Sequence, residues 1–125
     1  MRKKKIIKVP RTRNAGTMTE SQFFAMIRSA LREKSRWWKP TGIARLKSRR
    51  LYKGPIKRQK YEYQCNHCKQ WFPIKQTQVD HIIPAGRLSS FDDLGEFAKR
   101  LFVEEDGLQI LCSKCHDIKT KNEKE

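Results

Sequence analysis

At 125 residues, with 34% charged and 37% hydrophobic residues, the chain is the size of one small domain with an extension, and its composition argues against a large self-sufficient core. No apolar run approaches the roughly 18 residues of a membrane span, and the basic start from Met1 to Lys5 leads only into Ile6 and Ile7, so a soluble cytoplasmic protein with no membrane partner and no signal peptide is expected. The net charge of +16 is lopsided: residues 1–60 hold 20 basic residues against Glu20 and Glu33 alone, a block that calls for a polyanion, of which nucleic acid is the commonest.

Residues 1–16 combine the basic run with no apolar period, which predicts a flexible arm able to follow DNA. Deleting residues 1–13 would remove seven positive charges and no expected core residue. Thr19-Glu20-Ser21-Gln22 has capping-box spacing, and Phe23, Phe24, Ile27, Ala30 and Leu31 continue as a helical stripe, so a helix is predicted over about 20–35. Trp37-Trp38-Lys39-Pro40 should end it, because proline biases its predecessor away from helix. A second basic stretch, Arg45 to Lys60, is expected to be partly helical over Thr41–Leu51 and broken at Gly54-Pro55. Residues 17–60 thus read as a basic helical, DNA-tracking extension.

From Tyr61 the composition changes. Tyr61 and Tyr63 suggest a short strand entering a turn at Cys65, and Trp71, Phe72 and Ile74 lead out of it. Gln78 to Ile83 is expected to be a strand halted by Pro84-Ala85-Gly86. Ser90 should cap a helix with Asp92 and Asp93 in its first turn and Leu94, Phe97, Ala98, Leu101 and Phe102 along one face. Asp106-Gly107 reads as a turn, Leu108 to Leu111 as a strand, and residues 113–121 as a last short helix.

The four cysteines form two C-x2-C pairs, Cys65/Cys68 and Cys112/Cys115, with 43 residues between them. In an intracellular protein this spacing points to one structural zinc ion in a four-thiolate site, with a functional insert between the pairs. His67 lies inside the first pair and reads as surface, since four sulfurs already fill zinc's tetrahedron. Residues 61–125 are too few to rely on a core alone, so the ion should contribute to folding. It would bring the Asp80-His81 strand beside His116, at the start of the last helix. One carboxylate and two imidazoles are the parts that metal-assisted phosphodiester hydrolysis needs: a hard-metal ligand, a general base and an imidazole ligand.

Val79-Asp80-His81-Ile82-Ile83-Pro84, followed by Asp106-Gly107-Leu108-Gln109-Ile110-Leu111-Cys112-Ser113-Lys114-Cys115-His116-Asp117-Ile118-Lys119-Thr120, resembles the HNH endonucleases, and more narrowly the small HNH proteins of tailed bacteriophages. The resemblance implies a small zinc-stabilised ββα-metal (His-Me finger) domain of α+β class at 61–125, cleaving double-stranded DNA in the host cytoplasm, with the phage terminase as a candidate partner. It implies that His81 is the general base and that Asp80 and His116 hold a catalytic Mg²⁺, Mn²⁺ or other divalent ion. Candidate DNA contacts are Lys3, Lys4, Lys5, Arg11, Arg13, Arg28, Arg32, Arg49, Arg50 and Lys119. Gly107 stands where the family pattern has Asn. That leaves orientation of His81, or a third contact to the ion, to another group, with Gln109 and Asp106 the near candidates. If Gly107 had a positive φ, Asn would be its least costly replacement. The alternatives are a non-catalytic zinc-stabilised DNA-binding module and an RNA-binding or packaging-accessory protein.

Overall fold

In the computed structural model, which describes residues 8–124, Thr19 and Gln22 close the capping box. The Gln22 amide donates to Thr19 Oγ1 at 3.1 Å, and the Thr19 amide donates to Gln22 Oε1 at 2.9 Å. Helix α1 then runs Glu20–Ser35, as its periodicity predicts. The arm residues Lys3, Lys4 and Lys5 lie outside the described residues. The expected flexible arm already ends at Arg13, which forms a bridge with Met18 across a turn of left-handed residues, Asn14, Ala15 and Gly16.

Pro40 starts a helix instead of only ending one. Helix α2 spans Lys39–Ser48 with the proline in its first turn, where the missing N–H has no intrahelical partner to lose. The helix expected over Thr41–Leu51 stops at Ser48, and Arg49–Leu51 becomes strand β1. It pairs antiparallel with β2, Tyr61–Gln64, which pairs with β3, Trp71–Phe72. The Arg49 guanidinium lies 3.9 Å from the Tyr61 ring centroid and that of Arg50 3.8 Å from the Trp71 centroid, so the sheet supplies flat partners that a helix would not. The boundary expected at residue 60 is therefore crossed by a sheet. It is crossed again where α2 packs on β5 and where the Trp38 indole donates to the Val103 carbonyl at 2.6 Å.

Strands β4, Thr77–His81, and β5, Leu108–Cys112, form a separate antiparallel ribbon with Asp80 opposite Gln109 and Thr77 opposite Cys112. β4 is shorter than the expected 78–83: beyond His81 the ladder ends with the Ile82 amide donating to the Gly107 carbonyl at 3.0 Å. Helix α4, Ser113–Lys124, packs on both strands. Helix α3, Phe91–Leu101, buries Phe97 and Leu101 against Phe24 of α1 and against Ala85 and Leu88. Ser90 occupies the cap position of α3 but its side chain makes no capping bond. Asp93 reaches back instead, accepting from the Ser89 amide and hydroxyl at 3.0 Å each, and these bonds hold its carboxyl below the usual carboxylate range. The chain is thus α+β, with one aromatic core between α1 and α3 and a smaller one around the cysteines. No helix among the described residues is long and apolar enough to cross a membrane.

Gly107 is needed for a reason other than φ. It is absent from the positive-φ glycines, which are Gly16 and Gly86. A Cβ there would stand 2.9 Å from Val103 Cβ and Cγ2, inside van der Waals contact. The tolerance of Asn expected from a left-handed turn is therefore corrected: any side chain meets Val103. Gly107→Ala is expected to destabilise the fold by about 1–3 kcal/mol through overpacking, and Val103→Ala in the same chain should restore part of the loss. Thermal melting of the single and double variants checks this, and an unchanged melting temperature for Gly107→Ala would show that Val103 yields freely.

Candidate functional site

The four cysteines come together because three elements end at one place. Cys65 follows β2, Cys112 ends β5, and Cys115 lies in the first turn of α4. The Asn66 amide donates to the Ile110 carbonyl at 2.7 Å and ties the first pair to β5. The four sulfurs lie within 4.8 Å of one another, with Cys68 and Cys112 at 4.0 Å. Sulfurs about 2.3 Å from a tetrahedral ion are about 3.8 Å apart, so the cluster fits a metal with a small contraction. No disulfide joins them. Burial opposes ionisation of Cys65, but the amides of Cys112, Cys68 and His67 point at its sulfur and bring the thiol down to about 6. Burial and the neighbouring sulfurs push Cys115 up to about 12. One thiolate forms easily at Cys65 while Cys115 resists, which is the behaviour of a donor set that a cation completes. Among the described residues this is the one group of three or more metal-ligating side chains gathered so closely. His67 stays outside it.

A second site lies at the far end of the β4–β5 ribbon. Neighbouring strand residues point to opposite faces, so Asp80 turns toward α4 while His81 turns toward the end of α3. Both reach one open cleft of about 510 Å³, because β4 ends at His81. His116, Arg28 and Arg32 line the same cleft. His116 Nε2 stands 3.8 Å from Asp80 Oδ1, too far for a hydrogen bond. Asp80 Oδ2 accepts from Gln109 Nε2 at 2.9 Å and from Lys119 Nζ at 2.7 Å. His81 Nε2 is 2.8 Å from the Leu101 carbonyl oxygen. A carbonyl only accepts, so this nitrogen carries the proton and Nδ1 is left as the ring's acceptor.

The basic residues divide by partner. Arg28 and Arg32 remain open to solvent, with no ion pair among the described residues. Desolvation on the cleft wall, then the like charge of Arg28, lowers the Arg32 pKa. An anion entering the cleft would relieve that repulsion. Arg11 is exposed. Four other expected DNA contacts have partners within the fold. Arg13 bonds both oxygens of Glu20, at 2.7 and 3.3 Å, and lies over the rings of Phe23 and Phe91. Arg49 stacks on Tyr61; Arg50 stacks on Trp71 and bonds Glu62 at 2.6 Å. Lys119 is held between Asp80 and Glu123, at 2.7 and 2.8 Å, and donates to the His81 carbonyl at 2.8 Å. Burial works against its charge, yet the two carboxylates hold its pKa above the ordinary lysine value.

Of the near candidates for the Gly107 gap, Gln109 points inward and Asp106 makes no hydrogen bond to Asp80 or His81 among the described residues. The Leu101 carbonyl was invisible to side-chain reasoning; only its place at the end of α3 reveals it. No family model, no curated protein and no solved structure matches the chain.

Cys112→Ser is expected to abolish stoichiometric metal binding and to lower the melting temperature of the whole chain, because this sulfur joins β5 to α4. Elemental analysis with calorimetry checks this. Full metal content in the variant would show that the ion sits elsewhere.

Proposed function

We propose that the chain is a divalent-metal-dependent DNA endonuclease of the HNH kind, with a structural zinc ion on Cys65, Cys68, Cys112 and Cys115. The observation that carries this reading is the cleft in which Asp80, His81 and His116 converge with Arg28 and Arg32, neither of which has an ion pair among the described residues. The order of the ribbon and helix, β4, β5, α4, is the order a ββα-metal unit requires. Zinc fits the cysteine cluster by its donors: four soft sulfurs, all within 4.8 Å of one another, with Cys65 and Cys112 buried and Cys68 and Cys115 half-buried.

Asp80 Oδ1 and His116 Nε2 would hold the catalytic ion. A divalent ion there supplies positive charge to the scissile phosphate and its leaving oxygen. His81 serves as the base. Its Nε2–H is fixed on the Leu101 carbonyl, so Nδ1 takes the proton of the attacking water. Arg28 and Arg32 hold flanking phosphates by charge, without reading sequence. Water is the nucleophile, so no covalent protein–DNA intermediate forms. A phage origin, a host-cytoplasmic setting and work beside a terminase rest on the sequence resemblance alone.

One observation favours a second reading, a zinc-stabilised DNA-binding module without catalysis. Lys119 already neutralises Asp80, the carboxylate the ion would need. Plasmid incubated with the protein and Mg²⁺ or Mn²⁺, with and without EDTA, separates the two readings; metal-dependent nicking or cutting supports the nuclease.

In the same assay His81→Ala should lower cleavage by about 10²-fold or more while DNA affinity stays within a few-fold. Near wild-type cleavage by that variant would place the base elsewhere. Replacing Arg28 and Arg32 together by Ala should flatten the slope of log affinity against log salt by about two units. An unchanged slope would remove the cleft arginines from the DNA path.

A further inference from the structure

Asp80 has two oxygens with different surroundings. Oδ2 is occupied by Gln109 and Lys119, and Oδ1 is left facing His116. This asymmetry suits a carboxylate that offers one oxygen to an ion, provided something keeps the carboxylate from rotating. Lys119, though held at Oδ2, is a point charge that does not fix the rotation of the carboxylate about it. Gln109 is the directional partner, but a glutamine amide can flip, and a flipped amide would turn Oε1 onto the carboxylate.

The flip is blocked from behind. Gln109 Oε1 accepts from Asn66 Nδ2 at 2.8 Å, and Asn66 Oδ1 accepts from Lys69 Nζ at 3.1 Å. Lys69 is a donor only and the Asp80 carboxylate an acceptor only. A chain that starts at an obligate donor and ends at an obligate acceptor has one polarity: Lys69 to Asn66 to Gln109 to Asp80. Asn66 is itself fixed, since it follows Cys65 and its amide bonds the Ile110 carbonyl at 2.7 Å. Lys69 sits in a left-handed turn, φ 63°, that closes the first cysteine pair. The cysteine cluster and the cleft are thereby joined by a relay of side-chain amides.

We infer that Gln109, its amide locked by Asn66, is the positioning residue that presents Asp80 Oδ1 to a divalent cation. The inference rests on the reading of Asp80 and His116 as ligands of such an ion. It divides the work left open at Gly107 between two groups: the Leu101 carbonyl orients His81, and the Gln109 amide orients Asp80.

Mn²⁺ is the probe, titrated into the intact zinc-loaded protein, with the free ion followed by electron paramagnetic resonance. Four variants are compared with wild type: Asp80→Asn, Gln109→Met, Asn66→Asp and the double variant of the last two. Gln109→Met keeps length and bulk but removes the amide. Asn66→Asp still accepts from Lys69 but cannot donate to Gln109, so the glutamine is free to flip. The expected result is one wild-type Mn²⁺ site that is lost in Asp80→Asn. Gln109→Met and Asn66→Asp should each weaken it about tenfold, the low end for an outer-shell change, and the double variant no further, because the two act in series. Zinc content and melting temperature should stay unchanged in Gln109→Met, which separates positioning from folding even if Asn66→Asp disturbs the cysteine turn. Wild-type Mn²⁺ affinity in Gln109→Met, with loss in Asp80→Asn, overturns the inference and leaves the ligand reading standing. No Mn²⁺ site in the wild type overturns both.

Discussion

The gathering of four sulfurs is the constraint on which the remainder of the structure depends. β2 has four residues, β3 two and β5 five, too few to hold a sheet and a ribbon in register by their own ladders. The sulfurs join the end of β2, the end of β5 and the start of α4. An ion there can contribute on the order of 10 kcal/mol to folding, comparable with the whole net stability of a small domain. The same junction sets the phase of α4. His116 follows Cys115 directly, and Lys119 follows one turn later on the face that packs on β4 and β5. Wherever the sulfurs go, the imidazole and the ammonium go with them, and Asp80 meets both.

The cleft is an electrostatic arrangement with an unfinished side. Asp80 is balanced by Lys119, and Lys119 in turn by Glu123, a short row of alternating charge that needs nothing more. Arg28 and Arg32 on the opposite wall have no such row. They repel one another, and no carboxylate among the described residues pairs with either. An anion entering the cleft would be drawn to the arginine side.

Local chemistry made much of this legible in the sequence. The Thr19 capping box placed α1 to the residue, and the C-x2-C spacing placed the four sulfurs. Asp80, His81 and His116 could be grouped because the two cysteine pairs had to meet. What could not be read was tertiary. Pro40 is compatible with either end of a helix, and only the docking of Trp38 on Val103 decides. Arg49 and Arg50 carry helix-compatible propensity, and the pairing of β1 with Tyr61–Gln64 overrides it. Gln109 was visible as a candidate, yet its direction follows from register: it sits opposite Asp80, one rung before the ladder ends at His81. Gly107 looked like a turn glycine and is a packing glycine, a distinction that depends on Val103.

Arg13 has a consequence for how the N-terminal arm is understood. Its guanidinium roofs two aromatic rings, Phe23 of α1 and Phe91 at the start of α3, and is clipped to Glu20. By composition it belongs to the basic tail; by contact it is a lid on the aromatic seam between two helices. A truncation that ends after residue 13 would therefore do two unlike things at once, stripping charge from the tail and uncovering that seam. One that stops before the Arg13–Met18 turn would leave that seam covered, at the cost of the Thr12 hydroxyl bond to Glu20. The border of the folded body thus runs through the basic run itself, and charge alone does not mark it.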